Sequence, residues 1–430
     1  MEFKKIYNEK INETLYSGVT KSGLNVFVLP KKGFSKKYAV YAVNFGSCDV
    51  NYTVDGKEYS DPLGVAHFLE HKLFELPDGR NAFDLFAQYG ASANAFTSHD
   101  MTAYLFSASD NFNENLEILM SYVNDPYFTD ENVEKEQGII AQEIKMYDDD
   151  PQWRLFNNAL NCLYENHSIK DDIAGSVESI SHITKDVLYN TYNTFYRPEN
   201  MVLFVVGDVS ENDVGSIAEK YAVKKETSNV VRKTYTEKDS VKAKYDEKKM
   251  SVSCDNFILS FKDNSKTLTG EELLIKNIEI TLALKLMFSR SSENYNELYK
   301  NGYINDTFST DTLYGEGYGA IMLGGEAKDV EKTVKMLLSC IEKVKKNGFS
   351  DEDFNRAKRA VIGRNVMAYN SIEAVANSFC ANFFSKIGLF DFNDAINKVT
   401  KESVYKRVFE IFGDNYALSV IKPEKKQKDL

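Results

Sequence analysis

Apolar and polar positions alternate along the first half of the chain with two different periods. Runs in which every second residue is apolar predict strands, because successive side chains of a strand point to opposite faces. Such runs are residues 24–29 and 38–45, and strands are also predicted in the region 92–107 and at 201–206. Apolar residues spaced three or four apart predict amphipathic helices. These helices lie around residue 67 and near residues 112–124, 130–147, 153–166 and 185–195.

The second half repeats this order of elements. Its predicted strands are residues 256–261, strands between 304 and 325, and 416–421. Its predicted helices are residues 271–288, 329–346, 351–369, 372–386 and 401–411. Thr129-Asp-Glu-Asn and Ser350-Asp-Glu-Asp open corresponding helices with good N-cap residues. The pattern therefore predicts an α+β fold made of two homologous domains.

A polar, lysine-rich stretch separates the two halves. Residues 224–249 contain eight lysines and few large apolar residues. A basic nucleic-acid patch is one interpretation, but acidic residues interleave with the lysines and favour a solvated connector. We predict domains at residues 1–223 and 250–430, with residues 224–249 as the interdomain linker.

Candidate chemistry lies in the helix around residue 67, where the sequence reads His67-Phe-Leu-Glu70-His71. Residues four apart on a helix share a face at about 5 to 6 Å, so the two imidazoles can close on one metal ion. Catalytic zinc takes three protein ligands and keeps a place for water, and a carboxylate that is not a ligand removes the proton of that water. Glu70 suits this second role. The order, with Glu before the second His, is the inverted form of the commoner zinc motif.

A third metal ligand is needed, and the predicted helix at residues 130–147 offers two candidates. Glu136 and Glu143 are seven residues apart, which is about two turns, so they share one helix face. From this spacing alone, either carboxylate could reach the metal.

These motifs resemble the insulinase/pitrilysin family of zinc peptidases, in its bacterial, processing-peptidase-like two-domain branch. In that family the third ligand is a Glu about seventy residues after the second His, and an acidic residue precedes it by seven, as Glu136 precedes Glu143 here. The resemblance implies that Glu143 is the third zinc ligand. It also implies that Glu136 contacts one of the ligand residues and does not contact the metal itself. Residues 90–104 resemble the family's substrate strand, which implies that Asn94 and Ala95 contact the substrate.

The resemblance also implies a fold and an activity. Each half should be a mainly antiparallel mixed sheet packed with helices, and the two together should form one half of a clamshell around an enclosed chamber. The implied activity is that of a Zn²⁺-dependent endopeptidase that cleaves peptides bound in extended form, with Glu70 as the catalytic base. A non-catalytic scaffold or assembly subunit with the same fold is the alternative. A zinc hydrolase of small molecules is another, but it would need no duplicated second half.

The second half lacks the zinc motif and is expected to be inactive. Laying the two N-cap sequences over each other shifts positions by 350 − 129 = 221, which places Ala357 opposite Glu136 and Arg364 opposite Glu143. Family members that act alone carry an Arg and a Tyr in the inactive half, and Tyr299 stands here in place of that Arg. We therefore expect a dimer, and specifically a heterodimer with a related zinc-free subunit that supplies the Arg/Tyr pair.

Composition narrows the classes of function further. The 430 residues carry 52 basic and 64 acidic side chains, a net charge of −12, which argues against a nucleic-acid binder. No run approaches eighteen uninterrupted apolar residues, so no membrane partner is expected. The first residues show no secretory signal, and the five scattered cysteines fit reduced thiols. We therefore expect a cytoplasmic enzyme whose substrate is a peptide.

Overall fold

The computed structural model describes residues 1–226, 228–264 and 268–424, so the last six positions of the predicted second domain lie outside it. The described chain divides into two compact units. Unit 1 contains Met1–Ile144, Asp171–Lys233 and Val366–Phe384. Unit 2 contains Lys145–Lys170, Thr234–Asn365 and the residues from Ser385 onward. Within the described ranges, no helix combines the length and the apolar character needed to cross a lipid bilayer.

The strands of the described chain form three sheets. In chain order they are β1 (Lys4–Asn8), β2 (Glu13–Val19), β3 (Asn25–Pro30), β4 (Lys37–Val43), β5 (Asn51–Val54), β6 (Lys57–Ser60), β7 (Ser92–Thr97), β8 (Thr102–Ala108), β9 (Met201–Gly207), β10 (Val230–Arg232), β11 (Tyr245–Met250), β12 (Asp255–Lys262), β13 (Ser309–Gly315), β14 (Tyr318–Ala327) and β15 (Tyr416–Pro423).

The α-helices of the described chain pack around these sheets. In chain order they are α1 (Val65–Leu73), α2 (Ala82–Gln88), α3 (Phe112–Asn124), α4 (Asp130–Asp148), α5 (Pro151–Leu163), α6 (Val177–Ile180), α7 (Lys185–Phe195), α8 (Glu211–Tyr221), α9 (Gly270–Phe288), α10 (Glu293–Lys300), α11 (Val330–Asn347), α12 (Asp351–Ala368), α13 (Ile372–Phe384), α14 (Phe392–Lys398) and α15 (Lys401–Ile411).

Unit 1 is built on a mixed, mainly antiparallel sheet with the order β1-β2-β3-β9-β4-β8-β7. Neighbouring strands are antiparallel except β3 and β9, which are parallel. Strand β9 is buried along its whole length, and its side chains share one apolar core with residues of α1 and α3. Strand β7 forms one edge of the sheet and pairs with β8.

Unit 2 repeats the same strand plan. Its sheet has the order β11-β15-β12-β14-β13, which matches β3-β9-β4-β8-β7 of unit 1 position by position. The first two strands of each series are parallel, and the other neighbours are antiparallel. The predictions of an α+β fold and of two homologous, mainly antiparallel mixed sheets are confirmed.

Each unit takes one helix from the other half of the chain. Helix α13 comes from the second half, and it buries Phe379 and Cys380 against β4 and β9 of unit 1. Helix α5 comes from the first half and packs on β12 and β15 of unit 2. The limits of the units therefore differ from the predicted domains at residues 1–223 and 250–430. The helical period identifies the apolar side of a helix, but it does not identify the sheet that this side covers.

The predicted linker, residues 224–249, contains strands as well as coil. Strand β10 pairs with β5, and β11 runs parallel to β15 at the edge of the unit 2 sheet. Most side chains of β11 are exposed or half-buried. An edge strand tolerates such charged residues, so no apolar alternation reveals it in the sequence.

Candidate zinc centre

Helix α1 carries three of the predicted site residues. It follows Gly64, whose φ of 91° lies in the left-handed region, and it buries an apolar face in the core of unit 1. His67 is 8% exposed, whereas Glu70 and His71 are half-buried. The i, i+4 spacing places the two imidazole rings 4.6 Å apart between centroids.

The structure brings His67, His71 and Glu143 together. One ligand atom from each of the three side chains lies within 4.8 Å of the other two. Glu143 Oε2 is 3.8 Å from His67 Nε2 and 3.4 Å from His71 Nε2. Two ligand atoms bound to a tetrahedral zinc ion at about 2.1 Å lie about 3.4 Å apart, so this donor set fits zinc. In the described part of the chain, no other group of three histidine, cysteine or acidic residues meets the same distance criterion.

Glu136 contacts His71 on the opposite side of its ring. His71 Nδ1 donates a hydrogen bond to Glu136 Oε1 at 3.0 Å. With its proton on Nδ1, the imidazole keeps a lone pair on Nε2 for a metal, which is the usual arrangement of a ligating histidine. The structure thus places Glu136 behind His71 and Glu143 between the two imidazoles. Their roles as supporting residue and ligand stay predictions.

Glu70 is held by the end of strand β7. Thr97 Oγ1 donates a hydrogen bond to Glu70 Oε2 at 2.7 Å. Burial raises the pKa of the Glu70 carboxyl above its usual range, and the bond from Thr97 opposes this rise in part. A general base works best when its pKa approaches the working pH, so the raised pKa favours the predicted role of Glu70.

Burial and neighbouring charges set the protonation of the other site residues. Burial lowers the pKa of His67 to about 4, and the nearby His71 adds to the effect, so His67 is neutral at pH 7 and able to ligate. Burial also lowers the pKa of His71, but the hydrogen bond and charge of Glu136 outweigh it and the pKa rises overall. The same contact holds the pKa of Glu136 below its usual range, although burial opposes ionisation.

Asn94 and Ala95 lie on strand β7 at the edge of the sheet. Asn94 is exposed, and its Oδ1 accepts the backbone N–H of Ala95 at 2.9 Å. In register, these two residues face Leu105 and Tyr104 of β8. The opposite edge of β7 borders no strand of the described sheet, and such an edge can accept an extended peptide. Contact of Asn94 and Ala95 with a substrate stays a prediction.

A cavity of about 460 Å³ lies beside Glu70 and His71. Phe74 and Phe83 form part of its wall and stack with their ring centroids 4.3 Å apart. Ile139 of α4 adds a further apolar surface. Most of the other lining residues are polar or charged, so the cavity has a mixed wall and is large enough for a side chain.

The matching helix of unit 2 lacks these carboxylates. Helices α4 and α12 begin at residues 130 and 351, and 351 − 130 = 221 is the predicted offset. Thr129 and Ser350 accept the expected N-cap hydrogen bonds through their hydroxyl oxygens. On α12, Ala357 is buried and Arg364 is exposed, so neither position offers a metal ligand.

Comparison with known proteins agrees with this duplicated arrangement. Residues 56–177 match the family model of insulinase, peptidase family M16, and residues 182–361 match that of the M16 peptidase inactive domain. A Bacillus subtilis relative named "Uncharacterized zinc protease YmfH" is 41% identical over 431 residues, which cover 98% of this chain and 99% of the relative. The chain belongs to the insulinase family, M16. A second B. subtilis relative of this family, "Uncharacterized zinc protease YmxG", is 24% identical over 372 residues, which cover 84% of this chain and 88% of that protein.

Solved structures share the two-domain insulinase-family fold. A structure from Alicyclobacillus acidocaldarius described as an M16-like peptidase superposes with a TM-score of 0.92 at 29% identity, covering 99% of both chains. A protease from Helicobacter pylori gives a TM-score of 0.82 at 20% identity, covering 95% of this chain and 99% of that one. The second likeness concerns the fold alone.

Two residues of this insulinase-family site were not singled out from the sequence. Thr97 lies within a predicted strand, and strand periodicity does not show that its hydroxyl reaches Glu70. Lys72 is a charged residue at a position where the apolar pattern of α1 calls for a buried side chain. A charged residue on this apolar face could have identified Lys72 as a candidate site residue from the sequence.

Proposed function

We propose that this protein is a zinc-dependent endopeptidase that cleaves peptides bound in extended form within an enclosed chamber. The observation that carries the proposal is the convergence of His67, His71 and Glu143 within 4.8 Å, with Glu70 on the same helix. Zinc held by these three residues would act as a Lewis acid and lower the pKa of water at the site from 15.7 toward about 7. The names of the relatives as zinc proteases support this assignment.

Glu70 performs the proton transfers of this reaction. Its carboxylate takes a proton from the water that attacks the peptide carbonyl carbon, and it returns the proton to the amine as the carbon–nitrogen bond breaks. Thr97 fixes one oxygen of Glu70 by a 2.7 Å hydrogen bond. This bond orients the carboxylate before the peptide arrives and opposes the rise in its pKa that burial causes.

The peptide adds to strand β7 as a further strand. Main-chain hydrogen bonds bind a peptide backbone without demanding one sequence, and they present its carbonyls to the side chains of α1. Asn94 and Ala95 contribute the substrate contacts on this strand. The pocket that Phe74, Phe83 and Ile139 line in part receives a side chain next to the cleaved bond, and its aromatic rings can pack against the apolar part of that side chain.

The substitution Glu70→Gln tests the catalytic assignment. It keeps the shape of the side chain but removes the base, so we expect kcat/KM for a quenched fluorescent peptide to fall by about 10² to 10⁴-fold. Zinc content by elemental analysis should stay at the wild-type level. Glu134→Gln, an exposed carboxylate on α4, is the matched control and should cleave normally. Normal cleavage by the Glu70→Gln variant would remove Glu70 from the mechanism.

We further propose that the active form is a dimer, and that the partner is a related zinc-free subunit. Family members that act without a partner carry an Arg at the position that Tyr299 occupies in this chain. The Arg/Tyr pair that helps to hold the substrate carbonyl would therefore come from the partner subunit. Size-exclusion chromatography of the purified chain, followed by the peptide assay, tests this. A fully active monomer or homodimer would contradict a required partner.

We place the protein in the cytoplasm as part of the same proposal. The cysteines of the described chain form no disulfide, as is usual where thiols stay reduced. Fractionation of cells that express a tagged chain tests this. We expect to detect the protein in the cytosolic fraction.

A further inference from the structure

Lys72 is a buried cation next to the zinc centre. Its side chain is 0% exposed, and it lies on helix α1, which is mostly buried. A buried ammonium group costs several kcal/mol unless carboxylates pair with it. Lys72 Nζ meets Glu75, one turn further along, and lies 3.9 Å from Glu136 Oε2.

Packing alone does not explain a lysine at this position. Val65, Phe68 and Leu69 lie seven, four and three residues before Lys72, and all of them are buried. These positions form one face of α1, so an apolar side chain at position 72 would complete the face without any cost of charge burial. Proteins tend to break such local rules at functional sites.

Glu136 connects Lys72 to the candidate zinc ligands. Its Oε1 accepts the hydrogen bond from His71 Nδ1 at 3.0 Å, and its Oε2 faces Lys72 Nζ at 3.9 Å. Each oxygen of this carboxylate therefore has its own partner on α1. Rotation of the carboxylate would lose one of these contacts, so the charge of Lys72 favours the orientation in which Oε1 faces His71.

We infer that Lys72 is a positioning residue of the zinc centre, which anchors Glu136 so that Glu136 holds His71 in its ligating orientation. This inference rests on the proposed function, because it assumes that His71 binds zinc. Lys72 itself touches neither metal nor substrate. Its loss leaves Oε2 of the partly exposed Glu136 side chain without its cationic neighbour, and the hydrogen bond that orients His71 weakens.

The zinc affinity of Lys72→Met tests the inference directly. Methionine matches the length and apolar stem of lysine without its charge. We expect the Kd for Zn²⁺, measured by competition with a chromophoric chelator, to rise by about 10- to 100-fold, the usual effect of losing the support behind a ligating histidine. Lys31→Met is the matched control, because Lys31 is a buried lysine of unit 1 that pairs with Glu13 away from the site. It should leave the Kd unchanged.

A double-mutant cycle separates positioning from a structural role. If Lys72 acts through Glu136, then Lys72→Met should change the Kd for Zn²⁺ by less than about twofold in a Glu136→Gln background. Independent, multiplying effects of the two substitutions would overturn the inference. An unchanged Kd in a folded Lys72→Met variant would overturn it as well.

A second variant covers the case in which Lys72→Met does not fold. Combining Lys72→Met with Glu75→Leu removes both partners of this ion pair, of which only Lys72 is fully buried, and such apolar replacements are often neutral for stability. The combined variant should show the same loss of zinc affinity, and wild-type affinity in it would contradict the inference. Failure of the wild-type chain to bind zinc would instead contradict the proposed function.

Discussion

Glu136 and Glu143 share a face of α4, yet they meet different atoms. Glu143 Oε2 lies 3.4 Å from Nε2 of His71, whereas Glu136 Oε1 lies 3.0 Å from Nδ1 of the same ring. Helical spacing does not distinguish these two carboxylates, but in the structure each lies beside a different nitrogen of the His71 ring. Glu143 lies on the side of the ring that a metal would occupy, and Glu136 lies on the opposite side, as expected for the predicted ligand and supporting residue.

Substitution of these two carboxylates should have unequal effects on zinc. Glu143→Gln removes an anionic ligand, so we expect elemental analysis to find no stoichiometric zinc. Glu136→Gln should retain zinc with a Kd raised by about 10- to 100-fold. Equal losses in both variants would show that the two residues do not have distinct roles.

At the same scale, the sequence predicted some contacts and missed others for a physical reason. The spacing of His67 and His71 fixes their shared face through local helix geometry, so it could be read directly. The choice between Glu136 and Glu143 required the family resemblance, because periodicity does not show side-chain direction. The contact from Thr97 to Glu70 joins a strand to a helix and depends on tertiary packing.

Among the elements, α1 depends on the turn at its N-terminus. Gly64 has a φ of 91°, and a Cβ atom there would lie 2.4 Å from the backbone oxygen of Ala174. A side chain at this position would suffer both backbone strain and a collision with a main-chain atom. The position of α1, and with it the position of His67, therefore requires glycine.

Gly64→Ala should destabilise the protein more than Gly→Ala at a position where φ is also positive but the added Cβ meets no other atom. Gly90 is the control, because its φ is 71° and a Cβ atom at that position would meet no other atom within 4 Å. We expect Gly90→Ala to cost about 1 to 2 kcal/mol, and Gly64→Ala to cost more and to weaken zinc binding. Denaturant unfolding and zinc titration measure both effects, and equal costs would contradict the collision.

Elements that the sequence predicted correctly are those that bury many apolar residues. Helices α3 and α11 bury one apolar face, which gives a helical period, and strands β4 and β9 are buried on both faces, which gives a short apolar run. The exposed edge strand β11 and the short helix α14 bury little and carry no clear period. Strand order and the exchange of helices depend on contacts between distant segments, which no local pattern encodes.

For the whole molecule, the exchanged helices make each unit depend on both halves of the chain. Phe379 of α13 packs on Phe27 and Phe204 in unit 1, with ring centroids 4.7 and 4.6 Å apart. Leu155 of α5 packs on Met250 and Ile421 in unit 2. The stability of unit 1, which holds the candidate zinc centre, therefore depends on a helix that lies between β14 and β15 of the second sheet in sequence.

Truncating these two side chains should loosen opposite units. We expect Phe379→Ala to cost about 3 to 5 kcal/mol and to speed amide hydrogen exchange in β4 and β9. Leu155→Ala should cost about 2 to 5 kcal/mol and speed exchange in β12 and β15 instead. Exchange that rises only within the half of the chain that carries the substitution would contradict the helix assignment.

The exchange of α13 also sets a delay during synthesis. The last strand of the unit 1 sheet, β9, ends at residue 207, and α13 ends at residue 384, so 384 − 207 = 177 further residues must be translated. At about 5 to 20 residues per second, the nascent sheet waits roughly 9 to 35 s for its covering helix. Throughout that interval Phe27 and Phe204 lack the aromatic partner that α13 supplies, so this apolar face of the growing chain stays uncovered until most of the second half has been made.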